Sequence, residues 1–148
     1  MDVNIAGILE DSIVDGPGLR TVVFFQGCKH NCLNCHNEDT HSTEINQLMS
    51  INEIVEQVKS APLAKKVTFS GGEPFLQYEE LLELCKQLHD YHIWIYTGYT
   101  KQELIDLGYD EVFNYIEALV DGPFIEKEKT LDQQFVGSKN QKIYYFNE

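Results

Sequence analysis

The chain has 148 residues, of which 43% are hydrophobic, and it carries a formal net charge of −13 at pH 7. A chain of this length buries roughly 70% of the surface that its unfolded form exposes, so we expect one globular domain over residues 1–148. The strongly acidic balance disfavours contact with a phosphate backbone, which excludes nucleic acid as an expected partner.

The amino-terminal region has none of the features of a signal peptide. Its first twenty residues include Asp2, Glu10, Asp11 and Asp15 and contain no apolar core segment. No stretch of the sequence approaches the length of a transmembrane helix. We therefore expect a cytoplasmic protein without membrane contact, in which thiols stay reduced and clustered cysteines act as metal ligands rather than as disulfides.

Strand-like and helix-like segments alternate along the chain with short connections. The predicted strands are Asn4–Leu9, Leu19–Gln26, Lys66–Ser70, His92–Thr97 and Tyr115–Val120. The predicted helices run from Ile51 to about Ser60, from about Leu76 to Tyr91, and for a short distance after Thr100. Capping motifs, Ser50-x-x-Glu53 and Thr100-x-x-Glu103, predict where the first and third helices begin. The apolar face predicted for the first helix consists of Ile51, Ile54, Val55 and Val58. This order of strands and helices predicts an α/β fold with a mostly parallel sheet, in which the loops at the carboxyl ends of the strands converge on one face.

Three cysteines, Cys28, Cys32 and Cys35, lie within eight residues directly after the second predicted strand. Such clustering in a reducing compartment predicts a metal centre. The remaining cysteine, Cys85, falls on the inward face of a predicted helix, where a free cysteine packs as a small hydrophobic residue. Three thiolates on an iron–sulfur cube leave one iron open to a small molecule, so the spacing indicates a reactive metal site rather than a purely structural one.

A second motif, Gly71-Gly72-Glu73-Pro74, directly follows the predicted strand Lys66–Ser70. Glycines allow the backbone to approach a ligand closely, and a carboxylate can accept a hydrogen bond from an ammonium group. The alternative interpretation is a tight turn with Pro74 near the start of a helix. Because both motifs follow strands, the fold can bring them into one pocket.

The pattern Cys28-x3-Cys32-x2-Cys35 resembles the signature of the radical S-adenosylmethionine (SAM) superfamily, and Gly71–Pro74 resembles the element that holds the methionine end of SAM in that superfamily. The resemblance implies a 4Fe-4S cluster held by the three cysteines, with SAM on the fourth iron. The implied SAM contacts are Asn34, His36, Gly71, Gly72 and Glu73. Thr97 is a further expected contact, because the segment Tyr96–Tyr99 ends a strand on the same face. Asn34 departs from the pattern, since many members place an aromatic residue there.

Four further features narrow the resemblance to the activases of glycyl-radical enzymes. The segment Asp15–Arg20 and the pair His36-Asn37 match those activases, while Leu119–Phe124 and Phe135–Ile143 resemble the family that activates anaerobic ribonucleoside-triphosphate reductase. The resemblance implies an incomplete, open (β/α) barrel. It also implies that an electron from reduced flavodoxin leads to SAM cleavage, and that the resulting 5′-deoxyadenosyl radical takes a hydrogen atom from a glycine of the reductase.

Several alternatives stay open at this level. The chain could resemble a pyruvate formate-lyase activase or a small-molecule enzyme such as a carboxydeazaguanine synthase. It could also be a zinc-binding interaction module, or Cys32 and Cys35 could form a redox pair. The zinc site would take its remaining ligand from His30, His36 or His41. The sequence does not decide whether Asp121 binds a cation or shapes a turn, or whether Arg20 contacts a ligand carboxylate, pairs with a structural acid or is solvated.

Overall fold

The computed structural model describes residues 1–12, 18–27, 47–60, 65–122 and 142–146. Within these ranges the strands are β1 (Asp2–Ser12), β2 (Arg20–Phe25), β3 (Gln47–Ser50), β4 (Lys66–Gly71), β5 (His92–Tyr96), β6 (Ala118–Asp121) and β7 (Lys142–Tyr145). The α-helices are α1 (Ile51–Ser60), α2 (Tyr78–Gln87) and α3 (Lys101–Asp106), and 3-10 helices cover Pro74–Gln77 and Asp110–Asn114. None of these helices is long and apolar enough to cross a membrane.

The seven described strands form one mixed sheet in the order β3-β1-β2-β4-β5-β6-β7. Its centre is parallel, since β2 pairs with β4, β4 with β5 and β5 with β6 in the same direction. Its flanks are antiparallel, at β3-β1, β1-β2 and β6-β7. The α/β class is confirmed, but the expectation of a mostly parallel sheet is wrong. The connection from β1 to β2 is too short for the crossover that a parallel pair needs.

One face of the sheet packs against the helices. The strands contribute Val23, Phe25, Val67, Phe69, Ile93, Ile95 and Leu119 to this core, and the helices contribute Ile54, Val58, Leu81, Leu84, Cys85 and Leu104. Leu88, directly after α2, belongs to the same core. Burying each large aliphatic or aromatic side chain of this set contributes about 1.5–3 kcal/mol before the entropy of ordering it is counted. This core fixes the order of the strands and therefore the positions of the loops at their carboxyl ends.

The opposite face of the sheet carries the alternate residues of the same strands. Val22, Thr68, Trp94 and Ala118 lie side by side across four neighbouring strands, and all four are buried. Trp94, Ala118 and Val120 form a second, smaller apolar cluster. Thr68 is a polar residue on this face, and its hydroxyl accepts a hydrogen bond from the buried side chain of Arg20.

The helix starts follow local capping chemistry. At α1, the backbone N–H of Glu53 donates to the Ser50 hydroxyl at 3.1 Å, and the backbone N–H of Ser50 donates to the Glu53 carboxylate at 3.3 Å. The same reciprocal pair joins Thr100 and Glu103 at α3. Both helices begin where the capping motifs in the sequence predict.

Candidate functional site

The loop after β4 is held against β2 by a contact that only glycine permits. Gly71, the last residue of β4, has φ +113°, and a Cβ atom there would lie 2.3 Å from the Phe25 carbonyl oxygen and 2.4 Å from the Phe25 nitrogen. The two backbones therefore touch with no room for a side chain, and the positive φ disfavours any other residue. The glycine that the sequence assigned to ligand approach also serves strand packing.

Two backbone hydrogen bonds fasten this loop to the end of β2. The N–H of Gly72 donates to the Phe25 carbonyl at 3.0 Å, and the N–H of Glu73 donates to the Gly27 carbonyl at 2.6 Å. Gly27 immediately precedes Cys28 in the sequence. The structure thus brings the Gly71–Glu73 loop to the residue from which the cysteine segment begins.

The Glu73 carboxylate is fully buried and is used inside the protein. Its Oε2 accepts hydrogen bonds from the backbone N–H of Phe75 at 3.0 Å and from the Thr97 hydroxyl at 2.8 Å. Its Oε1 accepts from the backbone N–H of Gly98 at 2.7 Å. Three donors from two loops satisfy most of the acceptor capacity of a carboxylate. Glu73 therefore holds the two loops together in addition to any contact with a ligand.

Thr97 directly follows β5 and is the partner of Glu73 in this arrangement. Its hydroxyl also accepts a hydrogen bond from the backbone N–H of Tyr99 at 3.1 Å, and its own N–H donates to the Val120 carbonyl at 3.0 Å. Four of the predicted site residues, Gly71, Gly72, Glu73 and Thr97, thus lie together at the carboxyl ends of β4 and β5. The other five, Cys28, Cys32, Asn34, Cys35 and His36, lie outside the described residues.

Asp121 has a structural environment. It is 4% exposed, its Oδ2 accepts from the backbone N–H of Lys101 at 2.8 Å, and its Oδ1 accepts from the backbone N–H of Lys142 at 3.3 Å. Asp121 therefore joins the end of β6 to the start of α3 and to β7. This favours the structural alternative for Asp121 over cation binding. In the part of the chain that the structure describes, no group of three or more His, Cys, Asp or Glu residues is arranged to hold a metal ion.

Arg20 lies at the opposite end of the parallel strands from the Gly71 loop. It is fully buried, and its guanidinium donates to the Thr68 hydroxyl at 2.8 Å, to the Val67 carbonyl at 3.1 Å and to the His92 carbonyl at 2.8 Å. Burial lowers the pKa of Arg20 to about 10, so it stays charged at neutral pH. Among the described residues, Arg20 is thus a buried cation whose guanidinium donates to neutral oxygens, and the solvated alternative is wrong.

Cys85 lies in the core as the sequence predicts, and His89 and His92 contact other protein groups. Cys85 is a free, fully buried cysteine of α2, and burial raises the pKa of its thiol, so the thiolate that a metal requires is disfavoured. His89 is exposed, with its Nδ1 3.0 Å from the Lys86 carbonyl. His92 lies with its Nδ1 3.1 Å from a guanidinium nitrogen of Arg20. These contacts are structural.

Sequence reasoning missed two contributors to the site. Gly98 supplies a backbone donor to Glu73, and its only signal was its place directly after Thr97. Gln77 contacts the end of β2 through its side-chain amide. A single glutamine inside a predicted helix gave no signal of that role.

Comparison with known proteins identifies the family. A family model described as a 4Fe-4S single cluster domain matches residues 14–144, a range that includes both the cysteine motif and the Gly71 loop. The anaerobic ribonucleoside-triphosphate reductase-activating protein of Vibrio cholerae is 33% identical over 145 residues, covering 90% of this chain and 92% of that protein. This chain belongs to the anaerobic ribonucleoside-triphosphate reductase-activating protein family.

Other relatives agree with membership of the anaerobic ribonucleoside-triphosphate reductase-activating protein family. The family's protein from Enterobacteria phage T4 is 30% identical over 139 residues, covering 88% of this chain and 86% of the phage protein. A putative glycyl-radical enzyme activating enzyme of Haemophilus influenzae is 42% identical over 92 residues, covering 60% of this chain and 35% of that protein. The resemblance drawn from the motifs is confirmed.

Proposed function

We propose that this chain activates an anaerobic ribonucleoside-triphosphate reductase by generating a glycyl radical in it, using SAM and a 4Fe-4S cluster. The relatives of matching length are named as activating proteins of that reductase, and the family model is a 4Fe-4S domain. The structural observation that carries the proposal is the hydrogen bond from Glu73 to Gly27, since it joins the loop proposed for SAM to the start of the cysteine segment.

The cluster would be held by Cys28, Cys32 and Cys35. Thiolates suit iron–sulfur clusters, and three of them leave one iron without a protein ligand. The sequence contains four cysteines, and the fourth, Cys85, is buried in the helix-side core with a raised pKa. This donor set fits a cluster with one iron available to SAM and does not fit a four-cysteine site.

The proposed SAM contacts are Asn34, His36, Gly71, Gly72, Glu73 and Thr97. Among the described residues, Glu73 and Thr97 would act chiefly by fixing the loops, because their mutual hydrogen bond occupies the hydroxyl and part of the carboxylate. When bound, the cluster and SAM together supply a 5′-deoxyadenosyl radical that can remove a hydrogen atom from a glycine α-carbon. The chain's own residues have to bind and orient, and no general acid or base is required.

The remaining features of the proposal follow from the same assignment. Reduced flavodoxin would donate the electron, and the activity would take place in the cytoplasm, without nucleic acid or membrane as a partner. Residues 1–148 would form one radical SAM domain. The parallel order β2-β4-β5-β6 supports the incomplete, open barrel expected of such a domain, whose broad mouth would admit a loop of the reductase.

The decisive experiment is an anaerobic activation assay. Reconstituted protein is mixed with SAM, a reductant and the reductase, and the glycyl doublet is recorded by electron paramagnetic resonance. We expect a doublet with the wild type, and neither a doublet nor reductive SAM cleavage with Cys32→Ala. Cys85→Ala is the matched control and is expected to retain both.

The other outcomes distinguish the alternatives. SAM cleavage without a doublet on this reductase would point to another radical SAM reaction, such as activation of a pyruvate formate-lyase or conversion of a small molecule. Zinc without iron in anaerobically purified protein would favour the interaction module. Retention of SAM cleavage by Cys32→Ala would overturn the assignment of the cluster ligands.

A further inference from the structure

The side-chain amide of Gln77 takes the place of a strand partner at the end of β2. Its Oε1 accepts a hydrogen bond from the backbone N–H of Asn4 at 2.8 Å, and its Nε2 lies 2.8 Å from the Asn4 carbonyl oxygen, to which it donates. The same Nε2 lies 3.4 Å from the Gln26 carbonyl oxygen. Because Asn4 presents one donor and one acceptor, the orientation of the amide is fixed by its partners.

This amide sits where the regular pairing of β1 with β2 ends. The N–H of Gln26 donates to the Asn4 carbonyl at 3.0 Å, which is one half of the exchange expected of an antiparallel pair. The other half would be a hydrogen bond from the Asn4 N–H to the Gln26 carbonyl. The Gln77 amide replaces it, since its oxygen accepts from the Asn4 N–H and its nitrogen donates to the Gln26 carbonyl. The end of β2 is thus held to β1 by one backbone hydrogen bond and by the Gln77 side chain.

The segment 72–77 donates hydrogen bonds to three consecutive backbone carbonyls at the end of β2. The Phe25 carbonyl accepts from the Gly72 N–H, the Gly27 carbonyl accepts from the Glu73 N–H, and the Gln26 carbonyl between them accepts from the Gln77 amide. The segment is itself tied together, since the Phe75 N–H donates to the Glu73 carboxylate and the Leu76 N–H donates to the Glu73 carbonyl.

We propose that Gln77 is a positioning residue that sets the direction in which the chain leaves β2 at Gln26 and Gly27, and thereby the place from which the cysteine segment starts. The proposal rests on the proposed function, because it assumes that this segment carries the cluster. Gln77 touches neither cluster nor SAM in this role. It acts through the backbone of Asn4 and Gln26.

Three variants test the proposal. Gln77→Ala removes both ends of the amide. Gln77→Glu keeps an acceptor for the Asn4 N–H but faces the carbonyls of Asn4 and Gln26 with an oxygen that cannot donate. Gln102→Ala is the control, since Gln102 is exposed on α3 and bonds only the nearby Asp106 among the contacts described.

Two readouts are needed. In cluster-free protein, we expect the Asn4 amide hydrogen to exchange about fivefold faster in Gln77→Ala, the factor that corresponds to losing one ordinary hydrogen bond, and to stay slow in Gln77→Glu. In reconstituted protein, we expect both Gln77 variants to release iron to a chelator about fivefold faster than wild type, with Gln102→Ala unchanged.

If Gln77→Glu released iron at the same rate as the wild type, the proposal would be overturned. This variant decides the question if Gln77→Ala does not fold. Faster release from Gln102→Ala as well would also overturn it, because the effect would then not belong to this site. If the wild type takes up no iron, the proposed function fails instead. Amide exchange then decides alone, and an Asn4 amide that exchanges equally fast in wild type and Gln77→Ala would show that Gln77 does not hold β1.

Discussion

The hydroxyl of Thr97 donates a hydrogen bond to Oε2 of Glu73 across 2.8 Å, and this contact joins the loop after β4 to the loop after β5. Both side chains are buried, at 5% and 0% exposure. A charge-assisted hydrogen bond in such surroundings is stronger than one at the surface. The relative position of the two loops therefore depends on the Glu73 carboxylate, which also accepts from the Gly98 N–H across 2.7 Å.

Thr97→Val and Glu73→Gln test this pair. Each substitution is expected to lower the free energy of unfolding by about 2 kcal/mol, because each leaves buried polar atoms without their partner. The double variant is expected to cost about 1 kcal/mol less than the sum, since the hydrogen bond between Thr97 and Glu73 can be lost only once. Urea unfolding of the four proteins measures this, with Glu79→Gln, an exposed glutamate of α2, as control. Strict additivity would contradict a direct interaction.

Gly71→Ala is expected to destabilise the protein by roughly 3 kcal/mol, because it combines an unfavourable φ with a clash against the Phe25 backbone. Two other glycines separate these causes. Gly108 has φ +79° with nothing within 4 Å of the position that a Cβ atom would occupy, and Gly7 has equally open space without a positive φ. We expect about 1 kcal/mol for Gly108→Ala and about 0.5 kcal/mol or less for Gly7→Ala by urea unfolding. Equal losses at Gly71 and Gly108 would show that the close approach to Phe25 does not matter.

Arg20→Lys is expected to cost about 3 kcal/mol, although the charge is kept. The guanidinium donates in three directions, to Thr68, Val67 and His92, and an ammonium group on a shorter, flexible stem cannot reproduce that geometry. Because Arg20 lies far from the Gly71 loop, we expect SAM binding at a temperature well below unfolding to match wild type. Calorimetry of unfolding and of SAM binding separates the two effects, and a loss of SAM affinity in the folded variant would contradict the structural assignment.

His92 predicts a pH dependence of stability. Burial, and then the charges of Arg20 and Lys66, lower the pKa of His92 below its ordinary value of 6.5. The unfolded chain then binds a proton more readily than the folded one, so this contribution is present above pH 6.5 and is lost as the pH falls through the lowered pKa. Urea midpoints measured downward from neutral pH should decline in the wild type and decline less in His92→Gln.

The pH series has a lower limit, because nearby Glu117 takes up a proton in the folded state at more acidic pH. Its carboxylate accepts from the Ile93 N–H, and burial raises its pKa. The folded state therefore takes up a proton at Glu117 more readily than the unfolded state, which opposes the histidine effect at lower pH. A wild-type midpoint that stays constant above that limit would contradict the assignment to His92.

Cys85→Ala is expected to leave the iron and sulfide content of reconstituted protein unchanged while lowering stability by about 1 kcal/mol, because a small buried side chain is lost from the core. Metal analysis and urea unfolding measure the two quantities. A loss of iron equal to that of Cys32→Ala would make Cys85 a ligand.

The sequence predicted those features that depend on local chemistry. The capping motifs at Ser50 and Thr100 predicted where α1 and α3 begin, because their hydrogen bonds span only three residues. The apolar spacing of α1 predicted its buried face, and the Gly71 loop was predicted to follow a strand. The family resemblance came from motifs of the same local kind.

Features that depend on distant partners were not predicted. β3 and β7 are four-residue strands with partly exposed side chains, so their sequences carry no strong strand pattern. They are stabilised by pairing with β1 and β6, respectively. The predicted helix from Leu76 begins instead at Tyr78, since Pro74–Gln77 forms a 3-10 helix capped by the Glu73 carboxylate. The burial of Arg20 likewise depends on Thr68 and His92, 48 and 72 residues away.

The contact of Gly71 with Phe25 is made by two backbones, so it has no side-chain torsions through which it could relax. The separation between the loop after β4 and the end of β2 is consequently set when the sheet forms, before any small molecule arrives. Conformational entropy for this part of the site is lost on folding rather than on binding. A ligand that uses this preorganised edge of the sheet would bind with less ordering of the protein, and one that required the loop to move away from β2 would have to separate two hydrogen-bonded strands.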